Sequence, residues 1–85
     1  MSIKKLNIGV IGSTGSVGKT SLKIFKEYKN QFNVEFLVCN ENSKEVIKQI
    51  ETYSPSYVFI NNINAYNSVR LIKFKKKVIF FNNFL

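Results

Sequence analysis

Apolar and polar positions along the chain fall into short blocks whose period switches between continuous runs and helical spacing. Leu6–Ile11 is apolar almost throughout, which predicts a strand covered on both faces. From Ser16 to about Lys29, Leu22, Phe25 and Tyr28 recur at i, i+3 and i+6 beside Ile24, with Lys19, Lys23, Lys26 and Lys29 opposite them. That is one apolar face of a helix, and Asn30-Gln31 breaks it. Val34–Cys39 predicts a second strand and Asn40-Glu41-Asn42 the turn leaving it. Ser43 is placed as the N-cap of a second helix, with Glu45 in its first turn. That helix buries Val46, Ile47 and Ile50 and stops near Thr52, ahead of Ser54-Pro55. Tyr57–Ile60 predicts a third strand. A weaker helix follows over about 64–73, carrying Tyr66, Val69 and Ile72, and Val78–Phe81 is a fourth apolar run.

Strands alternating with helices imply an α/β fold: a partial Rossmann-like parallel sheet joined by right-handed crossovers. The 85 residues allow one small domain, read as an incomplete N-terminal dinucleotide-binding domain over 1–85. A chain of this size buries only about 60–65% of its unfolded surface, so its stability is marginal.

Between the first strand and the first helix stands Gly12-Ser13-Thr14-Gly15-Ser16-Val17-Gly18. Such a turn aims backbone N–H groups and a helix N-terminus at a phosphate. Gly12 allows the tight bend, Gly15 lets a pyrophosphate approach the backbone, and Gly18 lets the helix pack closely. The hydroxyls of Ser13, Thr14 and Ser16 can cap the helix or meet phosphate oxygens. Thr14, Gly15, Ser16 and Val17 are the candidate pyrophosphate contacts. A P-loop would share Gly18-Lys19-Thr20, but Ser13 stands where its first glycine belongs. The chain also has no aspartate for a Mg²⁺ ligand of that class.

This loop, with Phe32-Asn33-Val34, Leu37-Val38 and Pro55-Ser56-Tyr57-Val58, resembles the start of the 1-deoxy-D-xylulose 5-phosphate reductoisomerases over roughly residues 4–60. Semialdehyde dehydrogenases and acyl-phosphate reductases share the glycine spacing but usually lack the Ser-Thr pair. The resemblance implies NADPH as cofactor in a reductive isomerisation serving isoprenoid precursor synthesis. It also implies Mn²⁺ or Mg²⁺ and a homodimer in the family. The turn Asn40, Glu41, Asn42 matches the segment that receives the adenosine 2′-phosphate there. Asn42 agrees with the family; Asn40 stands for a glycine and is expected to tolerate a left-handed backbone. Glu41 departs from the family in charge. Residues 73–85 diverge from the family pattern, and their apolar end reads as an uncovered strand or a non-native terminus. The family's metal carboxylates and substrate site lie beyond the matched part. The expectation is therefore a truncated product with no catalytic residues and no metal site, inactive alone and completed by a complementary C-terminal polypeptide. The alternative is a non-catalytic nucleotide-binding or interaction remnant.

Composition changes this picture little. The net charge of +8 comes from 13 Lys+Arg against 5 acidic residues. The lysines are scattered except for Lys75-Lys76-Lys77, which reads as a solvated loop. Biased coding towards Lys, Asn, Ile and Phe accounts for the charge better than a nucleic-acid partner does. Cys39 is alone, so it forms no internal disulfide and reads as a structural thiol. Without histidine or aspartate, ordinary zinc sites and Ser-His-Asp triads are excluded. No apolar stretch spans a bilayer and Lys4-Lys5 leads into the strand rather than a signal peptide, so a cytoplasmic location is expected, with an organelle lumen left open.

Overall fold

In a computed structural model, which describes residues 4–84, strands and helices alternate along these residues. The order is β1 (Leu6–Ile11), α1 (Ser16–Glu27), β2 (Phe32–Cys39), α2 (Ser43–Tyr53), β3 (Tyr57–Ile60), α3 (Ile63–Val69) and β4 (Ile79–Phe81). The four strands form one parallel sheet in the order β1-β2-β3-β4. The α/β alternation expected from the sequence is therefore present.

Successive right-handed crossovers in one direction place their helices on one side of a sheet. Accordingly Leu22 of α1, Val46 and Ile50 of α2, and Ala65 and Val69 of α3 share one core with Val10, Leu37, Cys39, Val58 and Ile60 of the strands. Tyr53 Oη donates to the Leu22 carbonyl at 3.0 Å and ties α2 to α1.

The other face of the sheet carries no helix among the described residues. It is aromatic: Phe36, Phe59 and Phe81 lie there, and Phe84 of the tail stacks on Phe36 and meets Phe59 edge-on. The tail is held by Asn82 Nδ2, which donates to the Ile60 carbonyl at 3.2 Å. The total accessible surface, 6048 Å², exceeds the roughly 5,200 Å² that a monomer of this mass presents.

Several local expectations are corrected. β1 is not covered on both faces: Leu6 is 65% and Ile11 67% exposed, and only Val10 is buried. Its sequence is apolar enough for a central strand, but it pairs only with β2 among the described residues. α1 stops at Glu27, and Tyr28 becomes its half-exposed C-cap rather than part of the buried face. α3 ends at Val69 instead of about 73, because the chain turns there and exposes Leu71 and Ile72. α2 begins at Ser43, but its N-cap is Asn42, whose side-chain oxygen accepts from the Glu45 N–H at 3.1 Å. Its far end closes on Ser54 in the left-handed region, φ 49°.

Candidate functional site

The C-terminal ends of β1 and β2 lie side by side, so the glycine loop and the Asn40–Asn42 turn open on the same edge of the sheet. The loop is anchored by its own backbone. The N–H groups of Gly12 and Ser13 both donate to the Val38 carbonyl of β2, at 2.8 and 3.0 Å. Gly12 then takes φ +73°, a conformation in which a side chain is strained, and turns the chain out of the strand. The Gly15 N–H donates back to the Gly12 carbonyl at 3.0 Å and closes the turn.

α1 starts directly behind that turn. Gly15 is its N-cap, in an extended conformation, and no side chain caps the helix. The Ser13, Thr14 and Ser16 hydroxyls therefore do not cap α1, contrary to one of the two roles expected for them. The first intrahelical bond of this end runs from Lys19 N–H to the Gly15 carbonyl. The amides of Ser16, Val17 and Gly18 thus head the helix with its positive dipole end, the arrangement that binds anions. Thr14 is half-buried, while Gly15, Ser16 and Val17 are exposed at the mouth. Gly18 is buried: a Cβ there would strike the Gly12 carbonyl oxygen and lie 2.7 Å from Ser13 Cα. Close packing of helix on turn is therefore what Gly18 provides.

In the second turn, Asn40, Glu41 and Asn42 are all exposed. The Asn40 carbonyl accepts from the Asn62 N–H at 2.8 Å. Ser54 is the sole non-glycine residue with positive φ among those described, so Asn40 does not use the left-handed backbone it could tolerate. The tie to Asn62 holds it instead. Asn42 spends its side-chain oxygen on capping α2. Glu41 alone presents an uncommitted charge at this turn.

One contributor went unnoticed in the sequence. Gln49 of α2 is 3% exposed, and its Nε2 donates to the Ser13 carbonyl at 2.8 Å. The available signal was an amide in the apolar stripe between Val46 and Ile50.

Cys39, at the end of β2, is buried, and burial pushes its thiol up to about 11. It is the structural thiol expected. Lys75 to Lys77 lie in the loop before β4, where Lys76 Nζ donates to the Ser54 carbonyl at 2.9 Å and caps α2. No group of three His, Cys, Asp or Glu comes together among the described residues. No helix among them is long and apolar enough to cross a membrane.

Residues 8–82 match the family model for 1-deoxy-D-xylulose 5-phosphate reductoisomerase, reaching into the 73–85 segment set apart above. The chain is 36% identical to the reductoisomerase of Pelagibacter ubique over 77 residues, 91% of this chain and 20% of that protein. It is 33% identical to the apicoplastic reductoisomerase of Plasmodium falciparum over 70 residues, 79% of this chain and 14% of that protein. Among solved structures, the Zymomonas mobilis reductoisomerase in complex with NADPH superposes with a TM-score of 0.80 at 20% identity, over 92% of this chain and 21% of that one. The chain thus spans a fifth or less of the length of these curated relatives.

Proposed function

Because this chain belongs to the 1-deoxy-D-xylulose 5-phosphate reductoisomerase family, we propose that it forms the family's NADPH-binding part, with the pyrophosphate at Thr14, Gly15, Ser16 and Val17. The observation that carries this reading is the start of α1. Helix α1 begins at Ser16 behind its N-cap Gly15, without a side-chain cap and immediately after a positive-φ glycine turn. The unpaired amides and the helix dipole fit a pyrophosphate, and Gly15 leaves room for it. NADPH, when bound, supplies a hydride. The residues of this chain bind and orient it.

Asn40, Glu41 and Asn42 are proposed to face the adenosine ribose and its 2′-phosphate. Glu41 is exposed here. A carboxylate in this place repels a phosphate dianion and suits a free ribose 2′-OH. Glu41→Lys is therefore expected to raise the NADPH-to-NADH affinity ratio by about tenfold, since one exchanged charge near a phosphate is worth on the order of 1 kcal/mol. Calorimetric titration of both forms with both nucleotides measures it. A parent that already prefers NADPH strongly, with no change in Glu41→Lys, removes this turn from the site.

The metal and substrate groups are proposed to lie outside these residues, in a further domain or on a complementary C-terminal polypeptide. The open β1 edge and the aromatic sheet face support such a partner, because a doubly wound sheet is covered on both faces. The chain alone is then expected to oxidise no NADPH above background with 1-deoxy-D-xylulose 5-phosphate and Mg²⁺ or Mn²⁺. Turnover by the chain alone would contradict this. A family-like homodimer and a cytoplasmic location belong to the same proposal, with an organelle as the alternative location.

A further inference from the structure

We propose that Gln49 is a positioning residue that aims the Thr14 amide at the bound phosphates, an inference that rests on the nucleotide reading above. The peptide unit between Ser13 and Thr14 is the pivot. A trans peptide is planar, with its C=O and N–H pointing in opposite directions. The Ser13 carbonyl is drawn towards α2 by Gln49 Nε2 at 2.8 Å. The Thr14 N–H is thereby turned the other way, away from α2. Fixing one end of the unit fixes the other.

The position of Gln49 argues that this bond has a purpose. It lies in the stripe of α2 that packs into the core, between Val46 and Ile50, which are 0% and 1% exposed. An aliphatic residue there would bury no polar atom of its own, but would leave the Ser13 carbonyl without this donor. The amide instead leaves Oε1 buried without a partner among the described residues, and the Ser13 hydroxyl is orphaned in the same way. Each such atom destabilises the fold, because its lost hydration is not replaced. What the amide adds is one directed bond to a loop carbonyl 36 residues away. A second contact, Gln49 Nε2 to Glu45 Oε2 at 3.3 Å, orients the amide. Glu45 N–H in turn donates to Asn42 Oδ1. A chain of bonds therefore runs from the Asn40–Asn42 turn through α2 to the glycine loop.

Two substitutions test the proposal. Gln49→Met keeps the volume and removes the donor. Gln49→Glu keeps the shape but presents an acceptor to the Ser13 carbonyl until its carboxyl is protonated. Burial and the neighbouring Glu45 favour the protonated form; Lys19, Lys23 and Lys26 of α1 and Lys48 of α2 oppose it, and Tyr53 faces the same groove. NADPH affinity is measured calorimetrically for all three forms from about pH 5.5 to about pH 8, with circular dichroism confirming the fold. Gln49→Met is expected to bind about tenfold more weakly than the parent at every pH, the upper end of one net hydrogen bond. Gln49→Glu is expected to show a deficit relative to the parent that widens as pH rises and nearly closes as it falls. A merely structural role would lower the melting temperature of both variants without a pH-dependent affinity gap. Parental affinity in a folded Gln49→Met overturns the proposal alone. A folded parent that binds no nucleotide overturns both this inference and the reading it rests on.

Discussion

Gly18→Ala is expected to cost the chain about 2–4 kcal/mol of stability and to lower its melting temperature by about 10–25 °C. On helix propensity alone the sign would be opposite, since alanine in a helix is favoured over glycine by about 1 kcal/mol. Sterics decide the matter. The new Cβ would strike the Gly12 carbonyl oxygen and sit 2.7 Å from Ser13 Cα. Both are backbone atoms, so no rotamer change relieves the contact. The loop they belong to is pinned to β2 through two bonds to Val38 and to α2 through Gln49. It cannot move aside without breaking them. A domain of this size has only a few kcal/mol to lose. Thermal and urea denaturation of both forms check the result; an unchanged or raised midpoint would show that α1 does not sit on the turn as described.

Gly15→Val is expected to abolish NADPH binding, a loss of at least about a hundredfold, while leaving the fold intact. Gly15 is extended, with φ −79° and ψ 171°, which valine adopts readily. Its Cβ would find only the Gly12 carbonyl oxygen, at an ordinary 3.4 Å. The cost to folding is therefore small. The cost to binding is large, because the branched side chain stands at the mouth where the pyrophosphate is proposed to meet the Ser16 and Val17 amides. The two glycines thus separate cleanly: one position tests packing and the other tests the ligand. Calorimetry with a melting curve on the same sample distinguishes them, and a folded Gly15→Val that binds NADPH like the parent would remove the loop from the site.

Some of this was legible because it is local. β3 runs over Tyr57–Ile60 as its apolar run predicts, and the buried positions of α2 include Val46 and Ile50 as their spacing predicts. The glycine loop was readable for the same reason: the bend at Gly12 and the close packing at Gly18 follow from residues adjacent in sequence. What failed depends on neighbours distant in sequence. Leu6 and Ile11 read as buried because they are apolar, but burial requires a second strand and a second layer, and among the described residues β1 has one neighbour and one layer. Ile72 continued a helical spacing that the chain abandons at Val69, where turning back towards β4 takes precedence. Asn42 and Ser43 are both good caps, and only the backbone around them shows that Asn42 takes the role. The Gln49–Ser13 bond joins two segments that no local pattern relates.

The loop ahead of α1 is proposed to hold the phosphates of a dinucleotide. Titrating NADPH into the isotopically labelled chain and following every backbone amide by NMR tests it most directly. Saturable shifts are expected at Thr14, Gly15, Ser16 and Val17, with a second set at Asn40, Glu41 and Asn42. A folded chain whose amides do not respond, or respond instead around the Ile50, Ser54 and Phe74 cleft at the far end of α2, would contradict it.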